Sequence, residues 1–134
     1  MLSLLLLSSA VSLTMALGPM QDDPNATNEK DGPVRHVVAF KYTSDATDDQ
    51  IAEVTDAFRE LRNSIPGIVS FEYGINNSPE GQNDGFTHLY LITFEDEAAR
   101  DAYLPHPEHE KFGALLGRLG VLEDAFVIDY VPQE

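Results

Sequence analysis

The sequence predicts an α+β domain in which two main helices cover one side of a four-stranded antiparallel sheet. Three observations lead to this prediction. Four short segments have the alternating, β-branched pattern of strands, two longer segments carry apolar residues at helical spacing, and these elements follow one another in the order βαββαβ. The chain of 134 residues suits one domain, and the regular patterning starts at Val34.

The first half of the predicted domain is a strand, a helix and a second strand. Residues 34–42 read VRHVVAFKY and alternate as a strand does. A capping box formed by Thr47 and Gln50 begins the helix, and the Pro-Gly pair at 66–67 ends it. The second strand is IVSFEYGIN, residues 68–76. The apolar stripe of the helix consists of Ile51, Val54, Phe58 and Leu61.

The second half repeats this order after a polar turn. The third strand is FTHLYLITF, residues 86–94, and residues 96–103 begin a short helix. Pro107 suits the first turn of the second main helix, and Gly120 stops it. The last strand is DAFVIDYV, residues 124–131, so the whole chain fits the ferredoxin-like plan. The apolar stripe of the second main helix consists of Phe112, Leu115, Leu116 and Leu119.

Both faces of the first, third and fourth strands are largely apolar. One face carries the aromatic residues of the strands, and two helices can cover only that face. An antiparallel sheet with a solvated second face should have polar residues there. The sequence therefore predicts a homodimer, in which a second copy covers the bare face. The residues expected on that face are Val37, Ala39, Leu89, Leu91, Val127 and Val131.

The charge of the chain excludes some classes of partner. Acidic residues number 23 and basic residues 8, which gives a formal net charge of −15. Without a basic stripe for phosphate contacts we expect no nucleic-acid binding, and an anionic membrane surface would repel the protein. The chain has no cysteine, which excludes disulfides, a thiolate nucleophile and cysteine-based zinc sites.

The N-terminus resembles a signal peptide. The apolar run 2–17 is shorter than the roughly 20 residues of a comfortable membrane span, and small residues near Ala16 offer a cleavage point. We therefore expect residues 1–20 to be a signal peptide that directs the protein to the periplasm or outside the cell. After its removal we expect no stable association with a membrane.

The remaining chain divides into a linker and a domain. Residues 21–33 are polar with two prolines and are expected to form a disordered linker, followed by the domain at 34–132. The run before them lacks the basic residues that usually begin a signal peptide. If Met15 or Met20 is the true start, the protein would instead be cytoplasmic.

Four histidines are the candidate functional residues. His36 and His88 lie on the aromatic-rich strand faces, where a histidine is either a core residue with its hydrogen bonds satisfied or a polar group within an apolar ligand pocket. His106 and His109 lie three residues apart in YLPHPEHEKF. His106 stands between two prolines and is expected to close the turn at the start of the helix, with ligand binding as the alternative.

A metal site is the other interpretation of this histidine pair. His106 and His109 could share a helical face with two neighbouring glutamates, but no HExxH or comparable pattern supports it. If the first and third strands align end to end, His36 and His88 lie about 13 Å apart along the strands and could not share one ion. We therefore expect neither a metal nor haem.

The motifs of residues 34–132 resemble the stress-responsive dimeric α/β-barrel (Dabb) family. They are VRHVVAFKY, a helix ending in IPG, FEYG, NSPEG, GFTHLYLITFEDEAARDAYLPHPEHEKF and VIDYVP, in compatible order and spacing. The resemblance implies two ferredoxin-like units whose sheets close into one barrel. A plant branch of the family, olivetolic acid cyclase, closes a linear polyketide by an aldol reaction without a cofactor. The residues at its pocket positions here are Tyr103, His109, His36 and His88.

His109 suits the role of general base that this resemblance implies. A neutral imidazole can accept and return a proton near neutral pH, and a tyrosine hydroxyl such as that of Tyr103 can serve the developing oxyanion. Tyr103 lies six residues earlier, across the LPHP break, so the chain could fold it back beside His109. The alternative is that His109 is an ordinary hydrogen-bonded residue on the first turn of the helix.

Two functions therefore follow from the sequence. The first is a module that binds a small hydrophobic or aromatic metabolite in a mostly apolar pocket between sheet and helices. The second is a cofactor-free lyase or cyclase with His109 as base and Tyr103 as acid partner. A cofactor-independent monooxygenase, known on related barrels, is a third. None of these functions implies a cofactor.

Overall fold

Four antiparallel strands form one sheet in the order β2-β3-β1-β4, with three helices in the connections. The elements are β1 (Val34–Tyr42), α1 (Asp48–Ser64), β2 (Ile68–Ile75), β3 (His88–Phe94), α2 (Glu97–Tyr103), α3 (Pro107–Leu119) and β4 (Leu122–Tyr130). The first and third strands lie at the centre, as the ferredoxin-like plan requires, and the predicted fold class is confirmed.

The computed structural model describes residues 32–133. The predicted signal peptide and almost all of the predicted linker lie outside these residues, so export stays a prediction. Within the described part, no helix has both the length and the apolar character that a membrane crossing requires.

The ends of α1 form as the sequence predicts. The Thr47 hydroxyl accepts a hydrogen bond from the Gln50 backbone N–H at 3.3 Å, and the Gln50 side chain accepts one from the Thr47 backbone N–H at 3.0 Å. The chain leaves the helix through Gly67, whose φ of 86° is unfavourable for any residue with a Cβ. At Gly67 the backbone also approaches α2, because a Cβ built there would lie 2.6 Å from the Cβ of Ala99.

Two strand boundaries differ from the prediction. β3 begins at His88, because Phe86 belongs to a turn in which its backbone N–H donates to the Asn83 carbonyl at 2.8 Å. β4 begins at Leu122, because a β-bulge at the end of β1 lets Tyr42 pair with it.

The register of β4 corrects the predicted faces of that strand. Val127 pairs with Val38, which is buried under the helices, so Val127 lies on the helix side. Val131 packs against the same core. The prediction that both point to the open face was wrong, because it placed the aromatic residues of β4 under the helices. The register puts these aromatic residues on the open face instead. On β4, the open face is formed by Phe126, Ile128 and Tyr130.

The face that the helices leave bare is apolar, as the sequence predicts. Val37 pairs with Leu91 and Ile128, and Ala39 pairs with Leu89 and Phe126, so these side chains lie together on it. Leu89 is 41% exposed, and the exposure of the β4 residues is similar, from 48% to 51%.

The contact between Gly67 and α2 predicts unequal effects of two glycine substitutions. Gly120 also has positive φ, 61°, but a Cβ there would meet nothing within 4 Å. We expect Gly120→Ala to lower the free energy of unfolding by about 1–2 kcal/mol, and Gly67→Ala by at least about 1 kcal/mol more because of the overlap with Ala99. Urea unfolding at one protein concentration measures both. Equal losses would contradict the close approach.

Candidate functional site

The break between α2 and α3 brings Tyr103 and His109 together. Tyr103 is the last residue of α2 and is fully buried, and His109 lies on the first turn of α3. The His106 backbone N–H donates to the Tyr103 carbonyl at 3.0 Å and so closes the turn between the helices. The two ring centroids are 4.2 Å apart, with 37° between the ring planes.

A hydrogen bond to the backbone fixes how His109 carries its proton. Its Nδ1 lies 2.9 Å from the carbonyl oxygen of Leu104. A carbonyl can only accept, so Nδ1 must be the donor. In the neutral ring the lone pair is therefore on Nε2, which is the nitrogen that a general base needs.

A second imidazole also contacts the ring of Tyr103. His36 is buried on β1, and its ring centroid is 5.8 Å from that of Tyr103 and 5.9 Å from that of Phe94. Its Nδ1 lies 2.6 Å from Oδ1 of Asp129, which faces it across the β1–β4 pair. The carboxylate holds the Nδ1 proton, so Nε2 of His36 is also the basic nitrogen of its neutral ring.

Asp129 links His36 to the guanidinium group of Arg100. Its second oxygen accepts a hydrogen bond of 2.8 Å from Arg100 of α2. Burial alone would raise the pKa of Asp129, but the hydrogen bonds from Arg100 and His36 outweigh it and hold that pKa below its ordinary value. The carboxylate is therefore ionised at neutral pH.

Tyr103 keeps its proton in this setting. Burial, and secondarily the negative charge of Asp129, raise the pKa of Tyr103 well above its ordinary value. The phenol is thus a hydrogen-bond donor throughout the physiological range. We call the group of Tyr103, His109, His36, Asp129 and Arg100 the Tyr103 cluster. The sequence analysis missed Asp129 and Arg100; the available signal was a single carboxylate within the apolar strand VIDYVP.

His106 lies at the N-terminus of α3, and its ring caps that helix. Its backbone is extended, with φ −67° and ψ 135°, and its Nδ1 accepts a hydrogen bond of 3.2 Å from the Glu108 backbone N–H. His106 is thus the N-cap that the prolines on both sides predicted. A role in ligand binding stays a prediction.

His88 lies at the opposite end of the sheet from the Tyr103 cluster. It pairs with Phe40, four residues along β1 from His36, which is about 13 Å in an extended strand. Its Nδ1 shares a hydrogen bond of 2.8 Å with the Thr87 hydroxyl, and its ring contacts that of Tyr42 at 4.8 Å. Burial lowers the pKa of His88, so its ring is neutral near pH 7.

Aromatic rings fill the layer between the two ends. Phe58 of α1 stacks on Phe112 of α3 at 4.5 Å, and the ring of Tyr90 lies 5.0 Å from Phe58. The ring of Phe40 stacks on that of Phe58 at 6.1 Å. Packed rings thus fill the middle of the layer between the sheet and the helices, and a pocket between them can lie only towards its ends.

A cavity of about 500 Å³ lies at the His88 end, between α1 and the β2–β3 pair. We call it the His88 cavity. Within residues 32–133, no group of three or more histidines, aspartates or glutamates is close enough to hold a metal ion. The residues that line the cavity include Ile51, Thr55, Asp56, Tyr73, Ile75 and His88.

Comparison with known proteins places this geometry in context. A family model described as the stress responsive A/B barrel domain matches residues 34–132. The stress-response A/B barrel domain-containing protein HS1 of Arabidopsis thaliana is 34% identical over 104 residues, covering 78% of this chain and 94% of that protein. Olivetolic acid cyclase of Cannabis sativa is 27% identical over 101 residues, covering 75% of this chain and 98% of that protein.

Solved structures share the fold. The hydroxynitrile lyase from Passiflora edulis is 27% identical and superposes with a TM-score of 0.70, covering 78% of this chain and 96% of that chain. A protein from Jannaschia sp., described as dimeric and ferredoxin-like, is 28% identical with a TM-score of 0.65, covering 75% of this chain and all of that chain (100%).

The ion pair within the Tyr103 cluster predicts a pH-dependent contribution to stability. We expect Asp129→Asn to lower the free energy of unfolding by about 1–2 kcal/mol near pH 7, because it weakens two partly buried hydrogen bonds to a charge. A carboxyl group with a lowered folded-state pKa stabilises the fold above its ordinary pKa, and this contribution is lost as the pH falls through the folded-state pKa.

We therefore expect the free energies of unfolding of the wild type and Asp129→Asn to approach each other as the pH falls from about 7 to about 3. Urea unfolding at each pH measures them. The control is Asp45→Asn, since Asp45 is an exposed residue of the β1–α1 loop. A difference between wild type and Asp129→Asn that stays constant over the whole range would contradict the ionised pair.

Proposed function

The chain belongs to the stress-responsive A/B barrel domain family, and from that premise we propose that it is a homodimeric enzyme that makes or breaks a carbon–carbon bond next to a carbonyl group. It acts on a small, mostly apolar compound by proton transfer and uses no cofactor. His109 is the general base, and Tyr103 donates a hydrogen bond to the oxygen on which charge develops.

One observation carries this proposal: the Tyr103 ring contacts two imidazoles whose Nδ1 protons are both held by an acceptor. Held in this way, each neutral ring keeps a basic Nε2, whereas a freely rotating surface histidine has no fixed tautomer. Tyr103 keeps its proton because burial raises its pKa. The cluster thus combines a base with a neutral donor, as proton transfer next to a carbonyl requires.

The reaction class follows from what such a pair can do. In a hydroxynitrile or an aldol, the base removes the hydroxyl proton, the carbonyl forms, and the electrons of the breaking carbon–carbon bond leave with cyanide or with an enolate. The reverse direction closes the bond. The names of two relatives, a cyclase and a hydroxynitrile lyase, support this class.

The proposed dimer interface is the open face of the sheet. Leu89, Phe126, Ile128 and Tyr130 leave large apolar surfaces about half exposed there, and among the described residues no helix covers them. A second copy with the same face can bury them by a two-fold contact. The similar Jannaschia protein, described as dimeric, supports this arrangement.

The proposed chemistry predicts the loss of turnover in two variants. With mandelonitrile and diacetone alcohol as probes, we expect His109→Ala to lower kcat by about 10²- to 10⁴-fold, because the base is lost. Tyr103→Phe keeps the ring packing but removes the donor, and we expect a loss of about 10²-fold or more. Release of benzaldehyde or acetone measures both rates.

The control for these variants is Lys111→Ala, an exposed change on the same helix, and it is expected to keep the wild-type rate. Wild-type kcat in His109→Ala would contradict the proposal. A wild type that binds the probes but releases no product would favour the binding module instead.

The proposed dimer predicts opposite outcomes for two neighbouring substitutions. Ile128→Asp puts a charge on the open face, and we expect it to weaken dimerisation by about a hundredfold or more, since an unpaired charge is costly to bury. Val127→Asp is the matched control, because Val127 is 54% exposed but lies on the helix side. Light scattering at tens of micromolar distinguishes them. A monomeric wild type, or an unchanged Ile128→Asp dimer, would contradict the interface.

A further inference from the structure

The His88 cavity lies on the helix side of the sheet, away from both the Tyr103 cluster and the open face. Ile75 pairs with His88, and His88 with Phe40, whose ring stacks on Phe58 of α1. Side chains paired in this way share a face, so the cavity opens beside α1 and stays accessible when a second copy covers the other face. The packed rings at the centre separate it from the Tyr103 cluster.

The sheet side of the cavity is formed by two rings and one apolar side chain. The rings of Tyr73 and His88 lie nearly parallel, with 22° between their planes and centroids 6.1 Å apart. Ile75 is 61% exposed although it points to the helix side, since α1 does not extend over this edge of the sheet. A ligand with an aromatic ring would cover these surfaces, and a volume of about 500 Å³ is typical of small-molecule sites.

The hydroxyl groups beside the cavity already use their protons on one another. The Thr55 hydroxyl donates to the Ile51 carbonyl at 2.9 Å, so the Tyr90 hydroxyl must donate to Thr55, also at 2.9 Å. The Tyr42 hydroxyl, 3.0 Å from that of Tyr90, therefore donates to Tyr90. The three hydroxyl groups therefore have no proton left to donate to a ligand. His88 can still contact a ligand through Nε2, because Thr87 engages only its Nδ1.

The charge of the cavity lining favours a cation. Asp48 and Asp56 bring two carboxylates, and Arg59 is the one basic residue of the lining. Arg59 is already engaged, since its guanidinium pairs with Asp56 and lies 5.8 Å from the centroid of the Phe71 ring. The formal charge of the lining is therefore −1, in a chain whose net charge of −15 attracts cations and repels anions.

From these walls and charges we infer that the His88 cavity is a second ligand site, which takes a small aromatic cation of the arylalkylamine class. Its ring packs against Tyr73 and Ile75, and its ammonium group lies towards Asp48 and Asp56. The face of Tyr73 adds a cation–π contribution. This site is independent of the proposed proton transfer at the Tyr103 cluster.

Three isosteric probes test the inference: phenethylamine, which is cationic, 2-phenylethanol, which is neutral, and 3-phenylpropanoate, which is anionic. We expect phenethylamine to bind about tenfold more tightly than the alcohol, and the carboxylate more weakly still. Added salt should weaken the amine selectively, because it screens the carboxylates. Calorimetry or NMR titration of the full chain gives each Kd.

Variants and the position of the bound probe make the test specific. We expect Tyr73→Leu and Asp48→Asn each to weaken phenethylamine by about three- to tenfold, while Asp45→Asn, three residues away and outside the cavity lining, keeps the wild-type Kd. Amide shifts at Tyr73, Ile75 and His88 are the expected NMR signature.

Three results would overturn the inference. They are no binding of phenethylamine, equal binding of all three probes, and shifts centred on Tyr103 and His109. None of these depends on turnover, so failure of the proposed enzyme and failure of this site are distinguishable.

Discussion

The pairing register of β1 at the centre of the sheet determines which side chains lie under the helices and which lie on the open face. Its even-numbered residues from Val34 to Phe40 lie under the helices, and Val37 and Ala39 lie on the open face. A slip of one residue would exchange the two sets. His36 would then lose Asp129, and the open face would lose its apolar patch. The Tyr103 cluster and the proposed dimer face are thus two results of one set of backbone hydrogen bonds.

The break between α2 and α3 adds local chemistry to this frame. Its prolines have no backbone N–H to donate, so other groups of the segment must close the turn and cap the helix. The His106 N–H closes the turn on Tyr103, and the His106 ring caps α3. The Leu104 carbonyl, freed at the end of α2, accepts the His109 proton and fixes its tautomer. A histidine without that carbonyl would have no defined basic nitrogen.

The sequence predicts the fold well because its signals are local. The capping box at Thr47, the prolines beside His106 and the strand alternation act within a few residues, and the strand boundaries fall within two residues of those expected. The contacts that define the sites are long-range. The face on which Val127 lies and the pairing of His36 with Asp129 depend on how β4 registers on β1. The filling of the central layer depends on how four rings from distant elements interlock, which periodicity does not encode.

The packed rings of the central layer also bear on how such a domain can diverge. Phe58 and its neighbours lie between the residues around His88 and the Tyr103 cluster, so a change of side chain at one end removes no direct ring contact at the other. A lineage could therefore exchange the groups around His88 while the proposed acid–base pair at Tyr103 stays intact, or the reverse. One domain of about a hundred residues thus offers two regions whose side chains can be changed independently.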